Sequence, residues 1–238
     1  MTSANYESST VEIVEKAARS GNSAAALRHA RTLLAGEALT YDPVLAMRFF
    51  RIAAEQGVVE SMFELGCLQL FGRGVSKNVS DACEWLARAS SKGHVQAAKK
   101  LAEHFMRSDQ EGDHLEKAAD YWAEAARNAL ATGDLRFRQL AGECLHELSI
   151  LTRSGEIDAS KHGDEKELLK AAADMGYARA SYELALRYME AQDGRERQGW
   201  ASAYLYDAAR GGVQQASEKI RELSFSPPAT ATDRQPLH

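Results

Sequence analysis

The residues of this chain that could carry chemistry are few, and their spacing does not bring them together. His94, His104 and His114 follow one another at intervals of ten residues, which does not keep their side chains on one face of a helix. His146 precedes Glu147, but the second histidine of a zinc-protease motif is missing. We therefore predict no metal site and no cofactor, and we assign the histidines structural or surface roles.

The cysteines and glycines also lack the patterns of a reactive site. Cys67, Cys83 and Cys144 form no CxxC pair and are odd in number, which predicts neither a disulfide framework nor a zinc site. No serine is followed by lysine three residues later, so the penicillin-site motif is absent. Gly72 and Gly74 are not preceded by a strand or followed by Lys-Ser/Thr, so we interpret them as a sharp turn rather than a phosphate loop. We predict no catalytic residues.

The elements that would position these residues are helices that recur along the chain. Ala46, Phe49, Phe50 and Ala53 fall at i, i+3, i+4 and i+7, one face of a helix, and Gly57 follows where a helix would end. The same pattern returns 36 residues later as Ala82, Trp85, Leu86, Ala89 and Gly93. The last alanine of the pattern recurs at Ala17, Ala53, Ala89, Ala125, Ala172 and Ala208, at intervals of 36, 36, 36, 47 and 36 residues.

This periodicity predicts an all-α fold built from about six helix-turn-helix repeats of 36 residues, stacked as a solenoid. We expect the solenoid to span residues 9–224 as a single domain, with a flexible start at 1–8 and a disordered tail at 225–238. The fourth repeat carries extra residues. Part of them, at about 152–167, is polar and glycine-containing, and we predict a loop that projects from the solenoid.

The net charge and the distribution of apolar residues limit the kinds of binding partner to be expected. The net charge of −5 gives no reason to expect nucleic acid or an anionic membrane as a partner. No apolar run is long enough for a transmembrane segment, and the first residues lack the features of a signal peptide. We therefore expect a cytoplasmic protein that is a monomer or associates weakly with itself.

A longer set of residues around the second copy follows a known pattern: Leu65-Gly66, Gly72-x-Gly74-Val75, Ala82, Trp85, Ala89, Gly93-His94 and Ala97. This pattern resembles that of Sel1-like repeats, which are related to the tetratricopeptide repeat. Proteins with Sel1-like repeats are often bacterial. The resemblance is close at residues 46–98, fair at 10–45 and 168–220, and poor at 126–167. It implies a right-handed α/α superhelix that acts as a protein-binding scaffold or adaptor.

The resemblance leaves two other functions open. One is an immunity or neutralising protein that binds and blocks a toxin or effector. A more remote one is a hydrolase, because some secreted Sel1-like proteins have been linked to β-lactam binding or hydrolysis. That subset resembles a disulfide-stapled form with paired cysteines in each repeat, whereas Cys67 and Cys83 are sixteen residues apart and have no counterparts in the other repeats.

We place a hypothetical partner-binding site on the concave face, which the first helix of each repeat (helix A) is expected to line. The candidate residues are Leu27, Arg31, Leu34, Phe63, Cys67, Leu70, Lys99, Glu103, Tyr182, Leu186 and Met189. The alternative is that neighbouring repeats bury these side chains as core, and the sequence does not decide between the two. Arg28, Arg31, Lys99 and Lys100 could also form a basic strip for an acidic peptide.

Overall fold

The computed structural model describes residues 12–13, 15–16, 20, 22–35, 41–108, 113–190 and 194–223, the side chains of 194–198 excepted. Every regular element in these ranges is helical, which confirms the predicted all-α class. The helices are α1 (Ser23–Ala35), α2 (Pro43–Glu55), α3 (Val59–Phe71), α4 (Val79–Ser91), α5 (Val95–Met106), α6 (His114–Ala131), α7 (Leu135–Ser154), α8 (Ala159–His162), α9 (Glu165–Asp174), α10 (Ala178–Glu190), α11 (Gly194–Arg210) and α12 (Gln214–Leu223). None of these helices is both long and apolar enough to cross a membrane.

The chain forms two compact units, unit 1 (residues 1–103) and unit 2 (residues 104–238). In unit 1, α1 packs on α2, α2 on α3, and α3 on α4. In unit 2, α6 packs on α7, α7 on α9, α9 on α10, α10 on α11, and α11 on α12. In the predicted repeat scheme, the helices A are α1, α3, α5, α7, α10 and α12. The number of repeats and the single domain over residues 9–224 stay predictions, and Ala17 and the segments 1–8 and 225–238 lie outside the described residues.

The recurring alanines form the core, as the periodicity predicts. Ala53, Ala89, Ala125, Ala172 and Ala208 are all fully buried. A methyl side chain lets a neighbouring helix approach closely, so each alanine sets how near one pair of helices can pack. The larger core residues at the same periodicity are Phe49, Phe50, Leu86, Trp122, Leu169, Tyr204 and Leu205, all of them buried.

Two aromatic residues depart from the core assignment. Trp85 and Tyr121 occupy positions of the repeat that predict burial, yet both are only half-buried. The guanidinium of Arg88 covers the Trp85 ring, 4.7 Å from its centroid. The Tyr121 ring stacks against Phe105 at a centroid distance of 5.7 Å. Each ring thus packs on one face and meets solvent elsewhere.

The helix boundaries follow from local chemistry. Asp42 and Asn78, one repeat apart, accept a hydrogen bond from the backbone N–H groups of Leu45 (2.9 Å) and Asp81 (3.2 Å), and so cap α2 and α4. Gly57 follows α2 with a φ of 90°, which a residue with a side chain rarely adopts. The glycines that the periodicity places in the same turn have nearly the same φ: Gly93 at 87°, Gly176 at 85° and Gly212 at 89°.

The prediction that residues 152–167 project as a loop is wrong. Helix α7 continues to Ser154, and the segment that follows folds back on α6 and includes the short helix α8. Ile157 is buried, and the His162 side chain is only 3% exposed. His162 Nε2 lies 2.8 Å from Glu116 Oε2 on α6. The buried Ile157 and polar contacts of Asp158, Lys161 and His162 with α6 therefore hold a segment whose composition is that of a surface loop.

Candidate functional site

Three helices of unit 1, α1, α3 and α5, carry seven of the eight site residues predicted in that unit, all except Leu70. We call these residues the helix-A face; they are Leu27, Arg31 and Leu34 on α1, Phe63 and Cys67 on α3, and Lys99 and Glu103 on α5. Arg31 connects α1 to α3: its Nη2 lies 2.6 Å from Glu60 Oε1 and 3.4 Å from Glu64 Oε1. About half of the Arg31 side chain remains exposed.

His94 connects α3 to α5. Its Nδ1 accepts a hydrogen bond from the Ala97 backbone N–H (3.1 Å), so it caps α5 and the imidazole carries its proton on Nε2. That nitrogen lies 3.3 Å from Glu60 Oε2 and donates to it. The ring also stacks on Phe63, with centroids 4.5 Å apart. His94 thus has a structural role, as the sequence predicted: it caps α5, contacts Glu60 and stacks on Phe63.

Cys67 lies between charged residues on this face, and its surroundings favour the protonated thiol. Burial raises the pKa of the Cys67 thiol to about 12, and the Glu64 carboxylate adds to the increase. The cations of Lys100 and Arg73 lower the pKa of the thiol, but by less than burial and Glu64 raise it. A thiol with this pKa stays protonated at neutral pH, so it is neither a nucleophile nor a ready metal ligand.

Three of the four residues considered for a basic strip are paired with carboxylates, and the fourth, Arg28, is exposed. Lys100 Nζ lies 2.7 Å from Glu103 Oε2, and Lys99 Nζ lies 4.0 Å from Glu103 Oε1. Arg31 is held by two glutamates. The basic strip that we considered is therefore largely neutralised by the carboxylates beside it.

The apolar members differ in exposure. Leu27, Leu34 and Phe63 are half-buried and keep part of their surface accessible. Leu70 is 6% exposed and belongs to the core, so its assignment to an accessible face is wrong. It lies near the end of α3, where its side chain is covered by the helices that pack around it.

The predicted site residues of unit 2 are half-buried. Tyr182 and Met189 on α10 contact a buried cluster that includes Leu169, Leu184 and Leu205. Leu186, on the same helix, is half-buried. Tyr182 and Met189 thus have contacts of the kind that the core interpretation expects.

Unit 2 also holds a charged cluster that the sequence did not indicate. Glu183 on α10 contacts Arg153 and accepts from Arg187 (3.0 Å), and it lies 3.2 Å from His146 Nε2. Burial alone would raise the pKa of Glu183, but Arg153, His146 and Arg187 together lower it. His146 and Arg153 lie on α7, in the region where the repeat pattern fails, so no spacing linked them to Glu183. Among the residues that the structure describes, no group of three His, Cys, Asp or Glu side chains could hold a metal ion.

Comparison with known proteins agrees with this arrangement of helices. The family model of the Sel1 repeat matches residues 23–58 and 59–94. A Sel1 repeat protein from Oxalobacter formigenes has a similar structure, with a TM-score of 0.58 and 19% identity over 93% of this chain and 89% of that chain. A protective antigen of uropathogenic Escherichia coli with an SLR (Sel1-like repeat) fold gives a TM-score of 0.56 and 22% identity over 90% of this chain and 43% of that chain.

Two further results complete the comparison. An immunity protein from Pseudomonas aeruginosa aligns at 19% identity over 87% of this chain and 73% of that chain, but its TM-score of 0.39 establishes no common fold. No protein of curated function matches the sequence significantly. The chain therefore contains two Sel1 repeats, at residues 23–94, and has the fold of Sel1 repeat proteins.

Proposed function

We propose that this protein is a non-catalytic scaffold that binds a partner protein or peptide on the helix-A face of unit 1. Sel1 repeats typically serve as protein-interaction scaffolds. The observation that carries the proposal is the series of contacts from Arg31 to Glu60 to His94, which joins three successive helices A across their shared face.

These contacts prepare the face before a partner arrives. Binding normally costs about 0.5–1.5 kcal/mol for each flexible side chain that becomes ordered. Arg31 and Glu60 are flexible residue types, but each already holds a defined partner while about half of its side chain is exposed. A partner would therefore meet oriented charges and would order less of the surface itself.

Apolar surface lies beside these charges. Leu27 and Leu34 are separated by seven residues on α1, so they project from the same side of the helix, and Arg31 lies between them. Phe63 adds an aromatic edge from α3. Apolar anchors flanked by oriented charges suit an amphipathic helix or an extended peptide, which grooves of helical repeats accommodate.

The state of Cys67 supports binding rather than catalysis on this face. A pKa of about 12 keeps the thiol neutral, so it contributes polarisable, half-buried surface instead of a nucleophile. The charges around Cys67 also favour binding over catalysis, because each carboxylate there already has a cationic or imidazole partner.

Site-specific photo-crosslinking in the native cell tests the proposal. A photoreactive amino acid would replace Leu27 or Leu34 on the helix-A face, and Arg51 as a matched control. Arg51 is exposed on α2, the second helix of its repeat, away from the proposed face. We expect one dominant protein adduct from positions 27 and 34 and none from position 51, identified by mass spectrometry.

A charge reversal at Arg31 is the second part of the crosslinking experiment. Arg31→Glu would face Glu60 and Glu64, whereas Arg51→Glu makes the same charge change on α2. We expect the adduct at position 27 to disappear with Arg31→Glu and to persist with Arg51→Glu, while circular dichroism shows that both variants remain helical. Equal adducts from all positions, or none from positions 27 and 34, would overturn the helix-A face as a binding site.

A further inference from the structure

A second surface of unit 1 has large apolar side chains in the open. Tyr41 is 61% exposed, Val44 is 54% exposed and Phe71 is 45% exposed. Two cations, Arg73 and Lys77, follow Phe71 in the loop between α3 and α4. We call these five residues the edge patch, because they lie where helices end and loops begin rather than on the helix-A face.

One close contact brings the two halves of the edge patch together. A methyl group built on Gly74 would lie 2.3 Å from Pro43 Cγ and 3.3 Å from the Tyr41 hydroxyl oxygen. The loop that carries Phe71 and Arg73 is thus pressed against the start of α2, where Tyr41 and Val44 lie. The exposed side chains of Tyr41, Val44 and Phe71 therefore belong to two segments that touch at Gly74 and Pro43, whereas exposed apolar residues scattered singly carry no such meaning.

The charges of the edge patch have one sign. The Arg73 guanidinium lies over the Phe71 ring, 5.3 Å from its centroid. Neither Arg73 nor Lys77 forms an ion pair within the part of the chain that the structure describes. Lys77 is exposed, and its backbone packs close to Gly72, at the end of α3. The cations are therefore available to an external carboxylate.

Two described carboxylates of unit 1, those of Asp42 and Glu15, have partners other than these cations. Asp42 Oδ1 accepts the Leu45 N–H and caps α2. Glu15 is paired with Arg48, at 2.8 Å. Among the described residues, the edge patch thus presents apolar surface next to two positive charges that form no ion pair there, although the chain as a whole has a net charge of −5.

We propose that the edge patch is a docking site for a short acidic segment of another protein, with an aliphatic or aromatic residue beside its carboxylates. The apolar residue packs among Tyr41, Val44 and Phe71, and the carboxylates pair with Arg73 and Lys77. This proposal goes beyond the helix-A face and does not require that face to bind anything. A second copy of this chain is the other occupant to be tested, because Leu135 (79% exposed) follows Asp134 and Leu223 (38% exposed) follows Glu222.

Selection from a library of random linear peptides displayed on phage tests the proposal with the full-length protein. Binders would be selected on the wild type alone, with no prior depletion on the double variant Arg73→Glu/Lys77→Glu. We expect the selected sequences to place Asp or Glu next to Leu, Ile or Phe. Their binding, measured by fluorescence anisotropy, should weaken at least about tenfold in the double variant and should weaken with added salt.

Two further variants separate the edge patch from general effects. Phe71→Ser removes the apolar part and should also weaken binding about tenfold, since hot-spot aromatic residues carry losses of this size. Arg51→Glu/Lys92→Glu makes the same charge change at other exposed positions of unit 1 and should leave binding unchanged. All substituted side chains are exposed, and circular dichroism would verify folding.

Three outcomes would overturn the proposal. One is that selection yields no binders, or binders without an acidic and apolar pattern. Another is that selected peptides bind the Arg73→Glu/Lys77→Glu variant as tightly as the wild type. The third is sedimentation of the wild type as a dimer that Phe71→Ser dissociates, which would make a second copy of the chain the occupant.

Discussion

Phe63 lies nearly parallel to the imidazole of His94, with ring centroids 4.5 Å apart and an interplanar angle of 23°. Phe63 lies on α3 and His94 directly precedes α5, and the same imidazole caps α5 and contacts Glu60. One side chain therefore ends a turn, orients a carboxylate and supports an aromatic ring on the helix-A face.

Removing this imidazole should destabilise unit 1. His94→Ala loses the hydrogen bond to the Ala97 N–H, the contact with Glu60 and the stacking on Phe63. Caps are worth about 1 kcal/mol and aromatic pairs about 0.5–1.5 kcal/mol, so we expect the free energy of unfolding in urea to fall by about 1–2 kcal/mol. His94→Asn is the matched control, because asparagine caps helices well but cannot stack. It should recover part of the loss, and identical stabilities of the two variants would contradict a capping role.

The environment of Cys67 predicts slow thiol chemistry. Its pKa of about 12, against an ordinary value of 9.0, leaves about a thousandfold less thiolate at roughly pH 8. We therefore expect iodoacetamide to modify Cys67 far more slowly in the folded protein than in urea. The rate should still rise about tenfold per pH unit above pH 9, because the pKa lies well above that range. Mass spectrometry of the Cys67 peptide measures the rate, and a plateau near pH 9 would show an unperturbed thiol.

The sequence predicts those features of the fold that depend on residues close together in the chain better than those that depend on distant segments. Ala53, Ala89 and Gly57 were identified correctly, because helix periodicity and turn geometry act over a few residues and repeat along the chain. Residues 152–167 were misjudged because their composition is polar, whereas Ile157 and His162 find tertiary contacts on α6. Local propensity gives no sign of a partner such as Glu116, which precedes His162 by 46 residues.

The site was predicted less completely than the fold. Repeat phase placed Arg31, Phe63 and Glu103 on helices A, but it did not indicate which charges pair. The pairing of Arg31 with Glu60 spans 29 residues and depends on where two flexible side chains meet between helices. The assignment of Leu70 failed because a helix in the middle of a stack has neighbours on more than one side.

Acid should loosen the segment that folds back on α6. The pKa of Glu116 lies below its ordinary value, first because the Asp158 backbone N–H donates to it at 2.7 Å, and then because of His162. A lowered carboxyl pKa stabilises the folded state above the ordinary value of 4.5, and this contribution is lost as the pH falls through the folded-state pKa. Hydrogen exchange at the Asp158 amide, corrected for its intrinsic pH dependence, should show less protection at about pH 3 than at about pH 6.

Substitutions of Glu116 verify the origin of this protection. Glu116→Ala removes the acceptor, so the Asp158 amide should lose protection even at neutral pH. Glu116→Gln keeps an oxygen acceptor without the charge, so it should retain more protection and abolish the extra loss in acid. The proposed role of Glu116 would be refuted if Glu116→Ala exchanged at the wild-type rate.

Gly74 offers a test of why a glycine is needed where the two repeats meet. Its φ of 73° strains any residue with a side chain, and a Cβ there would also lie 2.3 Å from Pro43 Cγ. Gly57 has a φ of 90° but no atom within 4 Å of a built Cβ, so Gly57→Ala isolates the backbone strain. We expect Gly57→Ala to lower the free energy of unfolding by about 1 kcal/mol and Gly74→Ala by about 2–4 kcal/mol. Urea denaturation measures both, and equal losses would show that the loop yields to the added methyl group without cost. In that case the close approach of Pro43 and Gly74 would not fix the geometry of the edge patch, and its apolar side chains would be free to separate.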